Sequence, residues 1–125
     1  HAGYDPYTPD HEFCPPDMVL DVLKDVAPEN LILAHLGSNE NYDEAEEKLC
    51  GQNIFLDTAY SITRVSEAQF IRMVRKHGAD KILFATDCPW ADQRTCAEIL
   101  KESALTDREK ELILSENAIK LLGIQ

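Results

Sequence analysis

Three polar residues stand where short apolar runs give out: His1, His35 and Asp87. His35 closes Leu31-Ile32-Leu33-Ala34-His35-Leu36-Gly37, and Asp87 closes Ile82-Leu83-Phe84-Ala85-Thr86-Asp87-Cys88-Pro89-Trp90. His1 opens the chain in His1-Ala2-Gly3, a histidine followed at once by a small residue and a glycine. Two imidazoles and a carboxylate are the donor set of a divalent metal site. In barrels of alternating strands and helices, polar residues at the C-terminal strand ends face a common mouth and carry the chemistry.

The elements that must position these residues alternate along the chain. Residues 1–15, rich in Pro, Asp and Tyr, are expected as a loop. Residues 16–26 carry Met18, Val19, Val22, Leu23 and Val26 at helical spacing, with Pro16 in the first turn, where its missing N–H costs nothing. A strand at 31–34 follows, then a helix at 41–50 that Gly51 ends, and a strand at 54–57 running into Asp57. Ser66 with Gln69 has the form of a capping box, opening a helix that buries Phe70, Ile71 and Val74 before Gly78. After the strand at 82–86 come a helix at 93–102, a second capping box at Thr106 and Glu109, and two short helices, the last at 117–122 with Gly123 as its cap. Such alternation implies a parallel sheet with helical crossovers in one domain spanning 1–125. If His35 points inward, Leu31 and Leu33 share its face and fill a barrel interior, while Ile32 and Ala34 face the helices. The same count puts Leu83 and Ala85 below Asp87. Strands ~4.8 Å apart, taken next but one, bring the two strand ends within ~10 Å, near enough for His35 and Asp87 to meet at one ion.

Composition narrows the function classes. The chain has 125 residues and 44% apolar content, enough for one core. Its 12 basic against 23 acidic residues give a net charge of −11, which argues against a nucleic-acid surface and against an anionic membrane. Glu40, Asp43, Glu44, Glu46 and Glu47 read as a solvated helix face. No apolar run approaches the roughly 20 residues that span a bilayer. Cys14, Cys50, Cys88 and Cys96 are widely spaced and unpaired, so they read as reduced thiols in a cytoplasmic protein. His77 sits in a helix's last turn, where a cation suits the dipole, and is read as structural; His11 is uncommitted. Tyr4, Tyr7, Tyr60 and Trp90 fall just beyond strand ends and are candidates for a pocket wall.

His1-Ala2-Gly3, Leu33-Ala34-His35-Leu36-Gly37, Phe55-Leu56-Asp57-Thr58, Phe84-Ala85-Thr86-Asp87-Cys88-Pro89-Trp90 and Glu116-Asn117-Ala118-Ile119-Lys120-Leu121-Leu122-Gly123 occur in that order. Together they resemble the C-terminal half of the amidohydrolase superfamily, in the branch that pools metal-dependent hydrolases with decarboxylases. The resemblance implies an α/β fold, the C-terminal portion of a (β/α)8 TIM-like barrel running from the end of its fifth strand, with extra C-terminal helices. It makes His1 the fifth-strand metal ligand. His35 becomes the sixth-strand histidine, a ligand or a proton-transfer group, and Asp87 the eighth-strand aspartate on the metal. The family's first-strand His-x-His pair and first four strands are absent from this sequence.

The implied cofactor is a divalent metal, Zn2+ expected first, with Mn2+ or Fe2+ as alternatives. A bound ion lowers the pKa of a water from about 15.7 to about 7. Asp87 would take that water's proton and pass it to the leaving group, and an unmetallated His35 would polarise a carbonyl or an oxyanion. The function implied is a metal-dependent hydrolase of a small amide, ester or lactone. The alternatives are a nonhydrolytic decarboxylase, for which Arg64 is the nearest candidate to grip a carboxylate, and an inactive barrel fragment or interaction subunit. The expected partners are a small-molecule substrate and either the missing barrel half or a second copy of the chain. Neither nucleic acid nor membrane is expected.

Overall fold

Residues 1–15 are not a loop. In the computed structural model, which describes residues 1–124, they form an antiparallel hairpin of β1 (Gly3–Asp5) and β2 (Thr8–Phe13). Prolines argue against strand pairing because they lack a donor. Here a register shift between Tyr4 and Asp5 accommodates them, and the Asp5 carboxylate accepts from the Tyr7 amide at 2.6 Å to close the turn.

Three parallel strands follow: β3 (Ile32–Leu33), β4 (Phe55–Asp57) and β5 (Ile82–Leu83), in the spatial order β3-β4-β5. This is the predicted order and sense, with strands shorter than the apolar runs. Leu33 pairs with Leu56, and Leu56 with Ile82, so these three side chains share one face and enter the main core. Ile32 pairs with Phe55, and Asp57 with Leu83, on the opposite face. The expected inward set is therefore half right: Leu83 holds its side, whereas Leu33 points to the helices and Ile32 lies open at 47% exposure. The count failed because His35 is not a strand residue. The chain leaves β3 at Ala34 and turns through left-handed backbone at His35 and Leu36, which ends the alternation used to orient Leu33.

Six α-helices lie among the described residues, the first four packing on the core. They are α1 (Pro16–Asp25), α2 (Tyr42–Lys48), α3 (Glu67–His77), α4 (Gln93–Glu102), α5 (Asp107–Glu111) and α6 (Asn117–Leu122). Of α1's apolar residues, Val19 is buried and Leu20 and Leu23 pack on the core, while Met18 and Val22, and Val26 just past the helix end, stand exposed. The expected capping box at Ser66 is half made: its hydroxyl accepts from the Gln69 amide, but the Gln69 side chain reaches Asp43 instead. The box at Thr106 and Glu109 is complete. The two closing helices are joined by a π-helical turn at Leu112–Glu116, within which the Ile113 carbonyl accepts from the Phe84 amide at 3.0 Å. Asn117 then donates to the carbonyls of Ala79 and Ile82, at 2.7 Å each, tying this helical run to β5.

His77 is structural, but as a neutral ring and not as a cation at a helix end. Its Nδ1 accepts from the Gly51 amide at 3.1 Å and its Nε2–H donates to the Ile54 carbonyl at 3.0 Å, both inside the core. Burial, the largest cause, holds its pKa below the usual histidine value. The unfolded chain takes up this proton near pH 6.5, the folded chain only at lower pH. Between those values the unfolded state binds more protons, so stability is full above about pH 6.5 and falls as pH drops through that window. His77→Gln should flatten the fall, seen as a shallower loss of urea midpoint between pH 7.5 and 5.5. Parallel curves for the two proteins would refute this.

Candidate active site

Where the parallel strands run out, the backbone is forced into an uncommon conformation three times. His35 has φ 61°, Tyr60 φ 57° and Asp87 φ 60°. His and Asp enter the left-handed region more readily than bulky residues, whereas Tyr60 there is a genuine outlier. Such strain costs about 1–3 kcal/mol per residue and clusters at functional sites.

His35 shows how the strain is held. Asp57, the last residue of β4, accepts through Oδ1 from the His35 amide at 2.9 Å and from the Ala59 amide at 3.0 Å. The His35 ring, itself buried, has its Nδ1 2.9 Å from the Ala59 carbonyl. A carbonyl only accepts, so the proton sits on Nδ1 and the Nε2 lone pair is bare. That Nε2 lies 3.0 Å from Nδ1 of His1, which donates to it. The two rings meet edge to face at 4.7 Å, and Phe13 of β2 closes on His1 at 5.7 Å.

His1, His35, Asp57 and Asp87 line one cavity of about 690 Å³, together with Asn39, Tyr60, Tyr7 and Trp90. The three residues singled out by sequence therefore reach a common space, with His1 and His35 in direct contact and Asp87 on the wall. Asp57 and Asn39 were not singled out. Asp57 carried a usable signal, since it ends its strand as Asp87 ends the next. Burial raises the Asp57 carboxyl above the ordinary range, against the pull of its two amide donors. Tyr7 and Trp90 meet edge to face at 6.3 Å across the mouth, while Tyr4 lies outside the cavity wall. Cys88, beside Asp87, is exposed and free.

Arg64 is placed differently from its sequence role. Both its Nε and Nη2 donate to Glu40, at 3.1 and 2.9 Å, and its guanidinium lies over the Tyr60 ring at 5.5 Å. It is not part of the cavity lining, which holds no Lys or Arg among the described residues.

The residues fit a metal in kind and only partly in number. A ligating histidine hands its other N–H to a carbonyl or carboxylate, as His35 does. Yet among the described residues no three His, Cys, Asp or Glu groups stand close enough together to hold an ion. This chain offers an imidazole pair with carboxylates beside it.

The Amidohydrolase family matches residues 16–124. No curated protein matches the chain in sequence. Among solved structures, 2,6-dihydroxybenzoate decarboxylase from Rhizobium superposes with a TM-score of 0.61 at 17% identity, covering 82% of this chain and 37% of that one. Dihydroxybenzoic acid decarboxylase from Polaromonas, solved with manganese and the inhibitor 2-nitroresorcinol, gives 0.63 at 18%, covering 82% and 36%. A Staphylococcus aureus protein named as a candidate amidohydrolase gives 0.63 at 23%, covering 87% and 40%. At these identities the likeness concerns the fold. The chain spans less than half the length of each structure. The family match over nearly the whole chain agrees with the parallel sheet, its helical cover and the strand-end mouth: this chain belongs to the Amidohydrolase family, as part of its barrel fold.

Proposed function

We propose that this chain forms one wall of the active site of a metal-dependent hydrolase acting on a small amide, ester or lactone. The observation that carries the reading is the contact of His1 with the tautomer-fixed Nε2 of His35, in a cavity shared with Asp87. A divalent cation held by His1 and Asp87, with His35 as a further ligand or as a neighbour, would supply a water acidified toward neutral pH; zinc suits imidazole donors. Asp87, exposed at the mouth, takes and returns the proton, and the unprotonated His35 Nε2 is a lone pair available to the cation.

Decarboxylation is the second reading, supported by the names of two structural neighbours. It needs a cation to grip the departing carboxylate, and Arg64, committed to Glu40, does not serve. Assaying the protein with its complete barrel against neutral esters and lactones, and separately against hydroxybenzoates, separates the two. Acid release from the first panel is expected; carbon dioxide release from the second, with none of the former, overturns the hydrolase reading.

We also propose that the chain does not persist as a free monomer. β3 and β5 are the edges of the three-stranded sheet, and Ile32 lies open on its uncovered face. Such edges and faces are normally paired or covered. The remaining strands of a barrel, or a second copy, would cover them. Sedimentation of a stable 14.1 kDa species at micromolar concentration would refute this.

A further inference from the structure

We propose that Asn39 is a positioning residue that sets the reach of His1 toward His35. The inference rests on the reading above only in giving His1 a task. His1 is exposed, and its ring is brought to His35 by the buried segment Ala2-Gly3, which must itself be held. The hairpin does not do so through the main core, which contains none of its residues.

That segment is held by one buried asparagine, while Ser38 and Asn41 hold β2 separately through Glu12, at 2.9 and 3.0 Å. The Asn39 amide donates to the Ala2 carbonyl at 2.9 Å, and the Asn39 carbonyl accepts from the Tyr4 amide at 3.0 Å. Its side-chain Nδ2 donates to the Tyr4 carbonyl at 2.8 Å, and its Oδ1 accepts from the Tyr42 hydroxyl at 3.1 Å. Main chain and side chain thus grip both sides of Gly3, and Tyr42, buried in the core on α2, braces the grip. Gly3 is the residue that allows it: with φ 93°, a Cβ there would stand 2.0 Å from the Asn39 nitrogen. Asn39 lies four residues beyond His35, and Gly3 two beyond His1. The clasp therefore joins the two histidine segments directly, without passing through the sheet. A short polar side chain with one donor and one acceptor in use is what the place requires; aspartate would set a carboxylate against the Tyr4 carbonyl.

Two variants test this in the protein with its complete barrel, without added substrate. Asn39→Ala removes the side-chain half of the clasp, and Gly3→Ala drives its Cβ into the Asn39 backbone. Both should keep the far-ultraviolet spectrum and the His77 ring contacts. Both should lose the nuclear Overhauser cross-peak between the His1 and His35 rings, present in the parent. A cross-peak at parental strength in either folded variant overturns the proposal. Failure of both variants to fold overturns it as well, since Asn39 would then belong to the folding core. Because the readout involves no turnover, its failure leaves the hydrolase reading untouched, and an inactive full barrel leaves the clasp untouched.

Discussion

Asp87→Asn should lower the turnover of the complete barrel by about 10²- to 10⁴-fold, the range of a lost acid–base group. The substitution is clean for a structural reason. Asp87 adopts φ 60°, a conformation asparagine enters as readily, and its carbonyl accepts from the Trp90 amide at 2.8 Å whichever side chain is present. Being exposed, the side chain has no packing to lose. What changes is charge, the capacity to take a proton and the carboxylate offered to the cation. The 125-residue chain itself should bind divalent ions weakly and show negligible turnover, because no three donors converge among its described residues. A complete barrel carrying Asp87→Asn at the parental rate would refute the assignment. Stoichiometric, tightly held metal in the isolated chain, measured by elemental analysis, would refute the second expectation.

Leu56→Ala should be the most damaging single change to the fold. Leu56 is fully buried on the central strand, paired with Leu33 on one side and Ile82 on the other. Truncation removes three methylene equivalents and leaves a cavity that parallel strands cannot close, at about 2–5 kcal/mol. Against a typical total of about 5–15 kcal/mol, that leaves a small domain marginal. The damage should reach the site, because the next residue is Asp57, whose Oδ1 holds His35 in its left-handed turn. Chemical denaturation of the variant should show the loss, and a change within 1 kcal/mol of the parent, on the scale of a surface substitution, would contradict it.

The sheet and its helices were legible because their signals are local. Runs such as 31–34 and 82–86, separated by amphipathic stretches and capping residues, specify alternation, and alternation specifies parallel strands. The Thr106 box and the Gly123 cap read correctly for the same reason. The hairpin did not, since its pairing of Gly3 with Phe13 depends on partners ten residues apart across two prolines. Nor did the facing of Leu33, which was counted from a residue that turned out to lie past the strand end. Over residues 16–26, five apolar residues at helical spacing announced a helix, but the spacing covers too wide an arc for one neighbour; Val19 found the core and Met18, Val22 and Val26 did not. At the site, residue types identified His1, His35 and Asp87. Asn39 escaped because its work is done largely through hydrogen bonds to backbone, which no residue-type pattern reveals, whereas Asp57 was passed over although it closes its apolar run as Asp87 does.

Trp90 is the single tryptophan in the chain, and it sits at the mouth against Tyr7. Light absorbed near 295 nm therefore excites one ring in one place. Emission reports the solvent around the cavity rim and nothing from the core, so a ligand entering between Tyr7 and Trp90 would announce itself by a blue shift with no label attached. Excitation of the neighbouring tyrosine, by transfer across 6.3 Å, would tell whether the hairpin tip stays in place while it does so.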